Sequence, residues 1–200
     1  MKTNLRIMRK KGRGCLFLIP FVAVVSCNSN PETKAARQTV KTEQLAREKP
    51  PAEDIHTATV LGDIKAIRQH IRAGSDLNER EPAMGSTPLI SASLFGKTEV
   101  VRALVEAGAD VNLQNNEGST ALHTAAFLCH TEIVRILLDH GADKSLKNVY
   151  GSTPLQSVAG PFSEVKPIYD EFSKNLGPLG LKLDDDYLRE TRPVIAEMLQ

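Results

Sequence analysis

The chain has 200 residues, 25 of them Lys or Arg and 24 Asp or Glu, with six Phe, three Tyr and no Trp. That length suits one domain, and so few aromatic residues suit a stack of small-residue helices better than one large core. The near-neutral total hides a basic N-terminus: residues 1–26 hold six of the basic side chains and no acid, so the remainder is acidic and gives no sign of a nucleic-acid partner.

The basic stretch from Lys2 to Arg13 precedes an apolar run over residues 15–25. The run is too short to span a bilayer as a helix and fits the apolar core of a signal peptide. It ends in Val24-Val25-Ser26-Cys27, which resembles the bacterial lipoprotein box, with Val24 where leucine is usual. The resemblance implies cleavage before Cys27, lipidation of that cysteine, and a bacterial membrane anchor facing the periplasm from the outer or inner membrane. An ordinary secretory signal cleaved elsewhere is the alternative. With Cys15 removed and Cys27 acylated, Cys129 alone remains, so no intramolecular disulfide is expected. Residues 27–52 are polar, with Pro31 and Pro50-Pro51 as punctuation, and read as a flexible tether.

From residue 53 a phrase recurs. Gly85-Ser-Thr-Pro-Leu89, Gly118-Ser-Thr-Ala-Leu122 and Gly151-Ser-Thr-Pro-Leu155 open three copies, 33 residues apart. The first two run on through a second amphipathic pattern, Val100, Val101, Leu104 and Val105 in one case, and stop at Gly108-Ala-Asp110 or Gly141-Ala-Asp143. The physics of one copy is legible. Thr87 can cap a helix whose first residue is Pro88, where no amide donor is needed. Gly96 allows the turn into a second helix, and Gly108 supplies the left-handed residue that ends it. A fixed period of this size means stacked units, none able to bury its apolar face alone.

These residues and the period resemble the ankyrin repeat family. The third unit carries the family pattern at Gly118, Thr120, Leu122, His123, Ala125, Ala126, His130, Glu132, Ile133, Val134, Leu137, Leu138, Gly141, Ala142 and Asp143. The resemblance implies an all-α ankyrin-repeat solenoid: stacked antiparallel helix pairs with β-turn fingers, closed by C-terminal capping helices. The domain spans 53–200, with units 53–81, 82–115 and 116–148 and a degenerate unit 149–200. In unit one Asp54 replaces the capping Thr, and Arg68, Gln69, His70 and Arg72 suggest a polar outer face. In unit two the connection from Asn78 to Gly85 is one residue longer than that from Asn112 to Gly118, and Ile90 replaces the family's His. In unit three Cys129 stands where the family has Gly, a mildly strained position for a side chain. In the last unit Gly160-Pro161 ends the first helix. Residues 163–175 read as an inserted helix with Val165, Ile168, Tyr169 and Phe172 on one side. The displaced second helix is expected over 187–200, with residues 193–199 resembling 132–138 and Asp184 to Asp186 as its capping turn.

No catalytic constellation is legible. His56, His70, His130 and His140 lack paired Cys or carboxylates at metal spacing, and His123 occupies the family position that ties neighbouring loops together. There is no phosphate loop, no dinucleotide glycine run and no nucleophile elbow, so no enzyme activity, cofactor or metal is expected. The family's fold instead implies binding through the residues just before the inter-helix turn, on the concave face: Val60-Leu61, Leu94-Phe95 and Phe127-Leu128. One of each pair is expected to be buried between units, and the tether or the inserted helix could fold over the strip. Finger tips Met84, Asn116, Glu117 and Tyr150 would rim such a site. The expected function is a monomeric, membrane-anchored, non-catalytic module for a protein partner. Alternatives are an immunity or antitoxin-type protein neutralising a secreted effector, or a redox accessory using Cys129.

Overall fold

The computed structural model describes residues 49–200. The signal-like segment, Cys27 and most of the 27–52 tether lie outside them. Helix follows helix in pairs: α1 (Ile55–Leu61) and α2 (Ile64–Ala73), α3 (Pro88–Leu94) and α4 (Thr98–Glu106), α5 (Ala121–Phe127) and α6 (Thr131–Asp139). Then come α7 (Pro154–Ala159), α8 (Phe162–Leu176), a 3-10 turn (Gly177–Leu179) and α9 (Asp185–Leu199). No strand occurs among the described residues.

Each inner helix starts on a side-chain cap. Asp54 accepts from the N–H groups of His56 and Thr57, both at 3.0 Å. Thr87, Thr120 and Thr153 accept from Ile90, His123 and Gln156 N–H, each at 3.3 Å. The same chemistry at the same place in every unit satisfies donors that a helix start would otherwise leave open. The turns into the outer helices require a left-handed residue: Gly62 has φ 76°, Gly96 φ 63° and Cys129 φ 60°.

Successive inner helices α1, α3, α5 and α7 pack side by side, as do the outer helices α2, α4 and α6. Val100, Val101 and Leu104 of α4 and Ile133, Val134 and Leu137 of α6 are all buried, as are Leu89 and Leu122 of the inner layer. Burying one such side chain stabilises by roughly 1.5–3 kcal/mol, so the repeated stripe is the main source of cohesion. Leu155, the third residue of that inner series, is half-buried.

The displaced helix occupies the outer layer of the last unit: α9 packs on α7 and reaches α6 and α5. It begins at Asp185 with Asp184 as cap, accepting from Tyr187 N–H at 2.9 Å. Its buried stripe is Leu188, Arg192, Ile195 and Leu199, while Val194 is exposed. Residues 193–199 therefore repeat the phase of 132–138 only in part: Ile195 is buried like Val134, but Val194 is exposed where Ile133 is buried. Two further expectations are corrected. His70 is buried rather than on a polar outer face, since its Nε2 donates to Glu53 O at 2.9 Å and its Nδ1 pairs with Ser75 Oγ at 3.0 Å. Ile168 is exposed, because α8 buries the Tyr169 side instead.

Candidate protein-binding surface

The candidate surface has two parts, a column at the ends of the inner helices and a ridge of finger tips. The column is not one open strip. Leu61, at its N-terminal end, is 66% exposed, Leu94 and Phe95 are half-buried, and Leu128 is only 1% exposed. Phe127 is half-buried under α8. Its ring stacks on Tyr169 at 4.6 Å between centroids and meets Phe172 edge-on at 5.9 Å. Of the partner-facing residues expected from sequence, Leu128 is thus consumed by the core and Phe127 by the inserted helix. Leu61, Leu94 and Phe95 remain within reach of a partner.

The cover over Phe127 is pinned by a buried polar chain. Tyr169 Oη donates to Phe127 O at 2.6 Å, and Arg192 Nη1 donates to Tyr169 Oη at 2.9 Å. The Arg192 guanidinium also reaches Gly160 O at 3.0 Å and Ser157 O at 3.4 Å. These carbonyls mark the end of α7, the negative end of a helix, which suits a buried cation.

The fingers are tied to one another by backbone and side-chain hydrogen bonds. Asn116 N–H donates to Met84 O and Val149 N–H to Glu117 O, both at 2.9 Å. Below the tips, Arg80 Nη1 donates to Gly85 O at 3.1 Å and to Gln114 O at 2.6 Å. Gln114 Nε2 repeats the move on Gly118 O at 2.6 Å and Lys147 O at 3.0 Å. At the finger roots Asn78 Oδ1 accepts from Asp110 N–H at 2.9 Å, and Asn112 Oδ1 from Asp143 N–H at 2.8 Å. Arg80 and Gln114 were missed in the sequence. Their signal was a long donor side chain recurring at the same place in the repeat.

The extra residue in the first finger is absorbed by Glu81, which stands where the later fingers have Asn115 and Asn148. Its carboxylate accepts from Ala83, Met84 and Ser86 N–H at 2.6, 2.7 and 3.1 Å. Burial works to raise its pKa, but these three donors outweigh it and hold the carboxyl below its usual range. The ridge so built presents Met84, 45% exposed, and Tyr150, 75% exposed, with Asn116 exposed and Glu117 half-buried between them.

His123 links layers rather than facing a ligand. Its Nδ1 accepts from Thr120 N–H at 3.2 Å, so Nε2 carries the proton and donates to Ser152 O at 3.0 Å. Burial lowers its pKa, against the carbonyl contacts that raise it. Cys129 is fully buried, and burial pushes its thiol up to about 11, only partly offset by Arg192. A protonated thiol inside the core is not poised for redox or nucleophilic work. Among the described residues no group of three or more His, Cys, Asp or Glu side chains is placed to hold a metal ion. On the outer-helix side an open recess of about 300 Å³ lies between α2 and α4, lined by Arg68, Ile71, Arg102 and Glu106 among others.

Helix pairs, capping threonines and linked fingers at a 33-residue period coincide with a family match: residues 55–148 fit the family described as "Ankyrin repeats (3 copies)". Residues 55–148 are ankyrin repeats. The stack is similar to the "DNA-binding protein RFXANK" of Homo sapiens, 40% identical over 63 residues, covering 32% of this chain and 24% of that protein. It is also similar to "Protein PhlB" of Serratia liquefaciens, 42% identical over 64 residues, covering 32% of this chain and 28% of that protein. This chain therefore spans about a quarter of either relative. Among solved structures, the ankyrin repeat domain of Bcl-3 aligns with a TM-score of 0.50 at 34% identity, over 52% of this chain and 45% of that one. An ankyrin stack is a protein-interaction module, and such repeats are typically non-catalytic.

Proposed function

We propose that the chain is a non-catalytic protein-binding module, held through lipidated Cys27 on a bacterial membrane and displayed in the periplasm. It works as a monomer and grips a protein partner with the finger ridge and the N-terminal half of the inner column. The observation that carries the binding surface is the division of labour between its two halves. Phe127 is already occupied by α8 and Leu128 by the core, whereas Leu61, Met84 and Tyr150 stay exposed on helices and turns held rigid by their own hydrogen bonds. Rigid elements presenting apolar side chains lose little entropy on binding. The anchor is supported by the sequence of residues 2–27 alone.

The test uses the full chain in a bacterial host, with a photoreactive amino acid placed singly at Leu61, Phe95, Tyr150 or, as a control, Arg135 on the outer layer. Crosslinking of one protein from Leu61, Phe95 and Tyr150 but not from Arg135 supports the reading. Crosslinking only from Arg135 sinks it. Mass spectrometry of the mature N-terminus decides the anchor separately: an acylated Cys27 is expected, and an unmodified terminus elsewhere removes the claim.

A further inference from the structure

The finger ridge has a direction. In each link the residue after the turn-opening Asn donates its N–H, and the residue before the turn glycine accepts with its carbonyl: Asn116 to Met84, then Val149 to Glu117. Continued one step, the accepting group is Tyr150 O, which has no hydrogen-bond donor among the described residues. The face beside it is also free. A Cβ placed on Gly85 would strike the Asn116 side chain, and one on Gly118 would meet Val149 N at 3.0 Å and Asn148 Cα at 3.1 Å, but one on Gly151 meets nothing within 4 Å. Val149, 65% exposed, and Tyr150 flank this opening.

The edge cannot be satisfied by a second copy in the same manner. At the other end of the ridge the donor position of the first finger is Pro82, which has no N–H. Nor can two open edges pair face to face. The N–H groups of Tyr150 and Ser152 are taken by Asn148 Oδ1 and that of Gly151 by Asn148 O, so the edge only accepts.

We propose that the 148–151 edge is a docking site for the main chain of a partner protein: a turn that offers one free backbone N–H to Tyr150 O and lays its backbone over Gly151, against Val149 and Tyr150. The occupant is a turn because the two occupied links are both made by turns, and the edge continues that interface. The chemistry is that of strand addition to an open sheet edge, reduced to one bond and two apolar contacts. The proposal rests on the protein-binding reading above and says which atoms at the finger ridge the partner must address.

The probe is a backbone-cyclised peptide carrying residues 113–120 of this chain, the sequence that makes the first link, titrated into the folded chain with amide NMR as the readout. Shifts concentrated at residues 149–152 are expected. The same peptide N-methylated at the residue equivalent to Asn116 should bind about tenfold more weakly or not at all, tenfold being 1.4 kcal/mol. No shift at 149–152, or equal binding of the methylated peptide, overturns the proposal. Because only the peptide is altered, the chain is equally folded in both arms. The proposal and its parent reading fail separately: a silent peptide together with partner crosslinks from Leu61 and Phe95 removes the edge and leaves the module.

Discussion

The Tyr169 hydroxyl lies 2.6 Å from the backbone oxygen of Phe127, at the last turn of an inner helix. One hydrogen bond thus joins a helix foreign to the repeat pattern to the layer it covers, and Arg192 supports it from behind at 2.9 Å. Tyr169→Phe keeps the stacked ring but strips a donor from Phe127 O and an acceptor from Arg192. A buried group that loses its partner costs about 1–3 kcal/mol to desolvate, and Arg192 keeps Ser157 O and Gly160 O, so a fall of that order in unfolding free energy is expected. Urea titration followed by circular dichroism measures it. An unchanged midpoint means the contact is dispensable.

The turn glycines give a graded comparison. Gly118 and Gly151 both have positive φ, 69° and 74°. A side chain at Gly118 also meets the backbone of the next finger, whereas one at Gly151 has open space. Gly151→Ala is expected to cost about 1 kcal/mol from its left-handed conformation alone. Gly118→Ala should cost at least about 1 kcal/mol more, since 3.0 Å to a backbone nitrogen forces the fingers apart. Equal losses in chemical denaturation would mean that finger stacking contributes nothing.

His56 stands where the next two units have Leu89 and Leu122. Both of its ring nitrogens are inaccessible and lack a hydrogen-bond partner among the described residues. A leucine there removes two unsatisfied polar atoms and restores the residue used by its neighbours. His56→Leu is expected to stabilise by about 1–2 kcal/mol, raising the urea midpoint. A lower midpoint would mean that the histidine is held by something besides packing.

Two buried histidines are expected to contribute to the acid limb of stability. Burial lowers the pKa of His123 and of His130 below the ordinary imidazole value of 6.5. A depressed folded pKa means that the unfolded chain takes up protons first as the pH falls. The contribution is complete above 6.5 and is lost as the pH drops from there through the lower folded values. For His123 the structural reason is plain: protonated Nδ1 can no longer accept from Thr120 N–H. In the last unit Gln156 occupies the same position and makes the same bond with its amide oxygen, accepting from Thr153 N–H at 2.9 Å. His123→Gln should therefore flatten the loss of stability as the pH falls below 6.5 without abolishing the slope, because His130 remains. Denaturation midpoints across that range check it. An unaltered slope assigns the acid sensitivity elsewhere.

Periodicity made the inner and outer helices legible, because Leu89 and Leu122, or Val101 and Val134, are buried for one reason in both units. Caps were legible from Thr87 and Asp54 by local chemistry alone. What escaped depended on partners distant in sequence. Arg192 carries no signal of burial in its sequence neighbourhood, and its role is seen only with Tyr169 and the end of α7 around it. His70 reads as part of a polar face until Glu53 O and Ser75 are found at its ring. The openness of the column was only half legible: the inserted helix was a candidate cover, but its ring stacking on Phe127 fixes which residues it removes. Pro82 carried a readable signal, a proline at a position where the other fingers need an N–H, which becomes meaningful once the links between fingers are known.

The insertion between α7 and α9 changes the order in which the chain can assemble. In the first three layers an inner helix meets its outer partner across a turn of a few residues, so those contacts close quickly. The last layer must bring Arg192 back to Gly160 and Ser157, 32 and 35 residues away, before α9 can shelter α7. Closing that loop carries an entropic cost that the short turns avoid. The middle layers are therefore expected to form first and the C-terminal layer last, and amide protons of α7 should exchange sooner than those of α5.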